Sequence, residues 1–151
     1  MKVLNLFSDG GARGNPGPAG AAAIVTDEHG KTLDQFCAFL GKATNNEAEY
    51  AGLLLGIERA MRVCGKDCPQ YTLNVFMDSE LLVKQMRGEY KIKDPELQSF
   101  AIKVQGLRKD FAKVTFSHIP RAKNSETDAL VNEAIDMVLK HLHKGGQERL
   151  F

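Results

Sequence analysis

Apolar positions fall into two rhythms along the chain. Three compact apolar runs come first, Val3–Ser8, Ala19–Thr26 and Lys31–Leu40, with turn residues such as Asp27–Gly30 between them. Short apolar runs bounded by glycine, proline and aspartate read as strands, and short connections between them predict an antiparallel meander. The rhythm then changes. From Thr44 to Cys64 the residues Leu53, Leu54, Ile57, Ala60 and Met61 recur at helical spacing on one side. Tyr71–Asp78 is a fourth strand and Ser79–Arg87 a short helix. Asp94-Pro95 has the form of a helix start, with aspartate as N-cap and proline in the first turn, for a helix running to Arg108. Lys113–His118 is a fifth strand, and Ser125 to about His143 is the last helix.

The order βββαβααβα predicts an α/β fold. It is a mixed five-stranded sheet, three antiparallel strands followed by two parallel ones, with helices on both faces. The pattern gives one domain over residues 1–144 and a flexible tail over residues 145–151, set off by Gly145-Gly146.

Composition narrows this little. The 151 residues suffice for one core. No apolar run approaches the ~18 residues of a membrane span. The N-terminus lacks the form of a signal peptide, so a cytoplasmic location is expected. Three cysteines, Cys37, Cys64 and Cys68, are an odd count in such a chain. Reduced thiols are expected, a Cys64–Cys68 disulfide being the lesser alternative. A net charge of +1 gives no broad basic field, so any contact with nucleic acid must rest on local groups.

The acids carry more information. Thr44-Asn45-Asn46-Glu47 is a T-x-x-E capping box, which occupies Glu47 but leaves Glu49 without a structural task. Asp94 is an N-cap. Asp9 ends an apolar strand, where an unpaired carboxylate is costly. Each remaining acid has an ordinary reading when taken alone: Asp9 as a turn former before glycine, Asp78 as the cap of the helix from Ser79, Asp128 as partner of Ser125 in an S-x-x-D box. The set is more telling. Neighbouring parallel first and fourth strands would put Asp9 beside Asp78, and the helices from Thr44 and Ser125 would bring Glu49 and Asp128 to the same place. Clustered carboxylates repel one another unless cations compensate them. Oxygen donors suit Mg²⁺ or Mn²⁺, and two such ions hold the oxygens of a phosphodiester displacement. Spacing alone leaves that geometry open.

The loop in SDGGARGNPGPAG raises a different class. Gly11, Gly14 and Gly17 give G-x-x-G-x-x-G, followed by a strand and not by a helix. No helix N-terminus is available for a pyrophosphate, which excludes dinucleotide binding. The glycines are expected to turn the chain and to let its backbone approach a bulky partner.

At these residues the chain resembles ribonuclease H of type 1. SDGGARGNPGPAGAAAIV is similar to the family's first strand, turn and second strand. TNNEAEYAGLLLGIE resembles its TNN-x-x-E helix, VFMDSELLVKQM its third-acid segment and HIPRAKNSETDALVNEA its last loop and helix. The resemblance implies the ribonuclease H fold and endonucleolytic cleavage of the RNA strand of an RNA–DNA hybrid, leaving 5′-phosphate and 3′-hydroxyl ends. It implies two Mg²⁺, with Mn²⁺ able to substitute, held by Asp9, Glu49, Asp78 and Asp128, with Asp9 shared. His118 corresponds to a catalytic histidine carried on a mobile loop, or simply ends its strand. Asn15, Asn45 and Asn46 resemble minor-groove contacts, and Lys42 and Thr44 contacts to a DNA-strand phosphate. Ser79 and Arg121 join the substrate-binding set, Arg121 at a phosphate. Asn124 meets the RNA strand or forms the helix-entry turn.

The resemblance is to a compact form. There is no tryptophan, and MRGEYKIKDPELQSF is too short for the basic protrusion of some relatives. No separate N-terminal hybrid-binding domain is expected. Lys84, Arg87, Lys91 and Lys93 make only a modest basic patch, so binding should be weak and salt-dependent. The chain is expected to be a monomer. Its end, QERLF, resembles the peptides that dock on sliding clamps through Gln147, Leu150 and Phe151, or else folds back on the domain. Two further readings are a non-catalytic hybrid-binding module, which would be expected to lose acids, and another nuclease of the same fold.

Overall fold

β1 (Lys2–Ala12) lies at the centre of the sheet, paired on one edge with β2 (Gly17–Thr26) and on the other with β4 (Tyr71–Met77). The strand order is β3-β2-β1-β4-β5, with β3 at Thr32–Ala43 and β5 at Lys113–His118. β1–β2 and β2–β3 are antiparallel, and β1–β4 and β4–β5 are parallel, as the element order predicts. This computed structural model describes residues 2–149, with side chains described through His141.

The apolar alternation of the strands explains the layers. Leu4, Leu6, Leu73 and Val75 point to one face, where they pack on Leu53 and Ile57 of α1 (Asn45–Cys64), Val83 of α2 (Glu80–Met86) and Val104 of α3 (Pro95–Arg108). The opposite face receives α4 (Ser125–Arg149), whose Val131 and Ile135 bury Ala22 of β2. Helices therefore cover both faces. Small residues permit the close stacking: a Cβ on Gly56 would lie 2.9 Å from Leu6, and one on Gly20 would lie 2.9 Å from the Val131 carbonyl.

Helix starts follow the sequence signals. Thr44 Oγ1 accepts from the Glu47 backbone N–H at 3.1 Å, and the Thr44 N–H donates to Glu47 Oε1 at 3.0 Å, so the capping box is formed. Ser79 caps α2 and Asp94 caps α3. Residues 87–94 link α2 to α3 with no helix between them, as the short stretch MRGEYKIKDPELQSF predicts.

Two expectations need correction. Cys64 and Cys68 are joined as a disulfide, with Cα atoms 5.0 Å apart. Gly65, at φ +54°, stops α1 and starts the 3-10 turn Gly65–Gln70, which folds Cys68 back against Cys64. A turn of that kind leaves no mark in the C-x3-C spacing. Cys37 is free, as expected. α4 continues through Gly145-Gly146 to Arg149, beyond the His143 end set by the apolar pattern. Helical glycine costs about 1 kcal/mol but is not forbidden. Of the proposed docking peptide, Gln147 lies in the α4 backbone, and Leu150 and Phe151 lie outside the described residues.

Gly14 and Gly10 have separate tasks. Gly14, at φ +92°, serves the turn, but Gly10 is packed against the protein's own backbone. A Cβ there would fall on the carbonyl of Ala48 in α1. Gly10 thus makes room for the helix that carries Glu49.

Candidate active site

Strand register decides where the first two acids stand. Phe7 pairs with Phe76, and two further residues along each parallel strand lead to Asp9 and Asp78 at the same level. α1 crosses this end of the sheet with its backbone against Gly10, which brings Glu49 up to Asp9. α4 lies on the opposite face and supplies Asp128 from its first turn. All four carboxylates line one cavity of about 380 Å³, together with Arg13, Asn45, Arg121 and Asn132.

Their surroundings differ. Asp9 is only 9% exposed. Burial, and then the charges of Asp78, Asp128 and Glu49, push its carboxyl up to about 8. Glu49 is pushed up to about 7, mainly by burial; the Ser79 hydroxyl and the Arg121 charge oppose the rise, and Asp78 adds to it. Asp78 is half-buried and accepts from Asn124 Nδ2 at 3.4 Å. Asp128 is exposed and lies 3.5 Å from Asn132 Nδ2. The four do not close into a ready-made cage: among the described residues, no three acidic, cysteine or histidine groups converge as ligands of one ion.

The donor chemistry nevertheless fits a hard divalent cation. Every acidic group is an oxygen donor, and the costliest of them, Asp9, is held where ionisation is unfavourable without compensating positive charge. Behind the acids lies a small void of about 10 Å³ bordered by Ser8, Asp9, Glu49, Asp78 and Ser79. Among the described residues Ser8 Oγ is buried there with no hydrogen-bond partner, an orphan polar atom of a kind that folded proteins rarely keep without use.

Residues 7–134 match the family described as Reverse transcriptase-like. LC11-RNase H1, isolated from compost, is 44% identical, with a TM-score of 0.87 over 92% of this chain and 99% of that one. The chain belongs to the type 1 ribonuclease H family. A second structure of LC11-RNase H1, in complex with RNA/DNA hybrid, gives a TM-score of 0.86. The N-terminal RNase H domain of Rv2228c from Mycobacterium tuberculosis is 36% identical with a TM-score of 0.86, covering 94% of this chain and 99% of that one. The ribonuclease H1 of Halobacterium salinarum is 34% identical with a TM-score of 0.81, covering 89% and 98%. The chain spans about a third of the length, 36%, of the first curated relatives it matches, among them the bifunctional protein Rv2228c.

Against this ribonuclease H frame the remaining predicted residues divide. Arg121 and Asn45 reach the cavity with the four acids. Asn15 lies beside Asn45, its Oδ1 accepting from the Asn45 N–H at 3.1 Å. Asn46 and Lys42 are exposed and do not line the cavity. Ser79 and Thr44 are committed to helix caps, and Ser79 also bonds Glu49.

Asn124 is the clear departure. It is 1% exposed; its amide donates to the Ser8 carbonyl at 3.1 Å and to Asp78, and its Oδ1 accepts from Thr127 at 2.8 Å. It forms the helix-entry turn and steadies Asp78, with no side chain to offer an RNA strand. His118 departs in another way. It is the last residue of β5, paired in register with Met77, where the resemblance implies a mobile loop. It is exposed and does not line the cavity.

Arg13, Asn132 and Ser8 escaped the sequence reading. Two of them left a signal: Arg13 is the one cation in the glycine-rich loop, and Asn132 follows Asp128 by one helical turn. Ser8 left none, because its burial depends on α1 and the Met77–Leu82 segment meeting the end of β1.

Proposed function

We propose that this chain is an endonuclease that hydrolyses the RNA strand of RNA–DNA hybrids with two divalent cations, Mg²⁺ or Mn²⁺, leaving 5′-phosphate and 3′-hydroxyl ends. One observation carries the reading. Asp9, Glu49, Asp78 and Asp128 arrive from four separate elements at one cavity, in a chain that is 44% identical to a ribonuclease H1 with a structure in complex with RNA/DNA hybrid.

Bound Mg²⁺ or Mn²⁺ would polarise the phosphodiester and neutralise charge developing on it. The chain's own residues supply the rest. Asp9, Glu49, Asp78 and Asp128 would hold the cations, with Asp9 the most buried of the four. Ser79 and Asn124 hold Glu49 and Asp78 in fixed orientations, which spares reorganisation during the reaction. Arg121 presents an exposed guanidinium to the cavity, suited to a phosphate oxygen. Asn15 and Asn45 stand at the cavity rim with amide groups suited to the minor groove, where 2′-hydroxyls mark the RNA strand.

The decisive experiment is cleavage of hybrid, duplex RNA, duplex DNA and single-stranded RNA with Mg²⁺ and with Mn²⁺. Hybrid should be cut in its RNA strand alone, and Asp78→Asn should remove the activity. Intact hybrid under both metals would refute the reading. His118 calls for a separate test. His118 is exposed at the end of β5 and does not line the cavity, which suits an auxiliary proton carrier, so His118→Ala should lower turnover by less than the ~10²-fold typical of a central general acid or base. Unchanged turnover would remove it from the mechanism.

A further inference from the structure

The loop that follows Asp9 is fastened to both acid-bearing helices. On the α1 side, the Ala12 N–H donates to Asn45 Oδ1 at 2.8 Å, and Asn45 lies one turn before Glu49. On the α4 side, Arg13 Nη1 pairs with Asp136 Oδ1, and Arg13 Nη2 donates to Asn132 Oδ1 at 3.3 Å. Asn132 lies one turn after Asp128. Its Nδ2 donates to the Asp128 carbonyl at 3.1 Å and lies 3.5 Å from Asp128 Oδ2.

Donor chemistry fixes the direction of this chain of contacts. A guanidinium has donors and no acceptor, so the Asn132 amide must turn its oxygen to Arg13. Its NH₂ then faces Asp128. The reversed amide would set an N–H₂ against Arg13 and an oxygen against a carboxylate, which is unfavourable at both ends. Asp128 is the acid most in need of such a hold. Asp9 is buried, Asp78 has the Asn124 amide, and Glu49 has Ser79 and Arg121. Among the described residues, Asn132 is the side chain that hydrogen-bonds Asp128. The Arg13 and Asp136 side chains are 40% and 63% exposed, so their ion pair adds little stability and its consequence is orientation.

We propose that Arg13 and Asn132 are positioning residues for Asp128: Arg13, anchored by Asp136, sets the Asn132 amide, which holds the Asp128 carboxylate over the cavity. This rests on the reading of the four acids as the catalytic centre. The competing role for Arg13 is direct contact with a substrate phosphate, and the two roles separate experimentally.

The first arm needs no catalysis. In metal-free protein, Asp128→Asn should shift the side-chain NH₂ resonance of Asn132, and the same substitution in an Arg13→Met background should not. The second arm is single-turnover cleavage of hybrid. Arg13→Met and Asn132→Leu should each lower the rate constant about tenfold, with half-saturation by hybrid unchanged, because a displaced carboxylate costs rate and not affinity. Arg13→Lys should recover most of the loss. In an Asp128→Asn background, Arg13→Met should add no further loss. An Asn132 resonance that responds to Asp128 equally with and without Arg13 overturns the proposal. So does a rise in half-saturation with the rate constant intact, or a loss that multiplies with Asp128→Asn. If the unaltered protein does not cleave hybrid, the functional reading fails, and the resonance arm still decides whether Arg13 orients Asn132.

Discussion

Asp9→Asn should sharply lower hybrid hydrolysis and at the same time raise the melting temperature of the metal-free protein at pH 8. The two effects have one cause. Asp9 is 9% exposed and faces three other carboxylates, and its carboxyl is raised from 3.8 to about 8. A raised folded-state value means that the folded protein holds its proton more tightly than the unfolded chain does. The associated stability is fully present below about pH 4 and is lost as pH rises through 8. Glu49 behaves likewise between 4.5 and about 7. At pH 8 the folded metal-free protein therefore carries a penalty on the order of a few kcal/mol, which a neutral asparagine at this position would not incur. In EDTA the variant should melt at least ~5 °C above the unaltered protein at pH 8, with the gap closing toward pH 4. A gap that does not change with pH would refute this account. Mg²⁺ should raise the melting temperature of the unaltered protein more at pH 8 than at pH 6, because protons compete for the same carboxylates. Activity should fall by on the order of 10³-fold, the several kcal/mol that charge compensation at a phosphodiester is worth.

The same crowding explains what was legible in the sequence. Glu49 stood out because Glu47 was occupied by the capping box, and the structure forms that box. Asp9 and Asp78 stood out because each ended an apolar strand, and parallel register then set them level. Strands, caps and element order are written locally, in alternation and in residues such as Asp94-Pro95. Contacts that depend on two elements meeting were not. Asn124 looks identical in sequence whether it faces solvent or, as here, the Ser8 carbonyl. Arg13 and Asn132 stand 119 positions apart and meet only because α4 lies over β1 and β2. Cys64 and Cys68 pair because of a positive-φ turn at Gly65 that C-x3-C spacing does not encode.

Glycines make the point most sharply, and they carry the second large prediction. Gly52 and Gly106 both lie inside helices, α1 and α3, where alanine is intrinsically better by up to ~1 kcal/mol. A Cβ at Gly106 would meet nothing within 4 Å, so Gly106→Ala should raise stability by roughly that amount. A Cβ at Gly52 would fall on the carbonyl of Asp9 itself and lie 3.6 Å from the Ala21 side chain. Backbone cannot step aside as a side chain can, so α1 must lift from β1 at the point where Glu49 and Asp9 meet. Overpacking of this kind costs about 3 kcal/mol, which outweighs the gain in helix propensity. Gly52→Ala should therefore lower the melting temperature by roughly 5–10 °C. Where the variant is still folded, hybrid cleavage should fall at least ~10²-fold, because the carboxylate shared by the proposed metals is carried on the displaced residue. Thermal melts and single-turnover rates on the two alanine variants test both signs together. A Gly52→Ala protein with the stability and activity of Gly106→Ala would show that α1 does not lie against β1 as described.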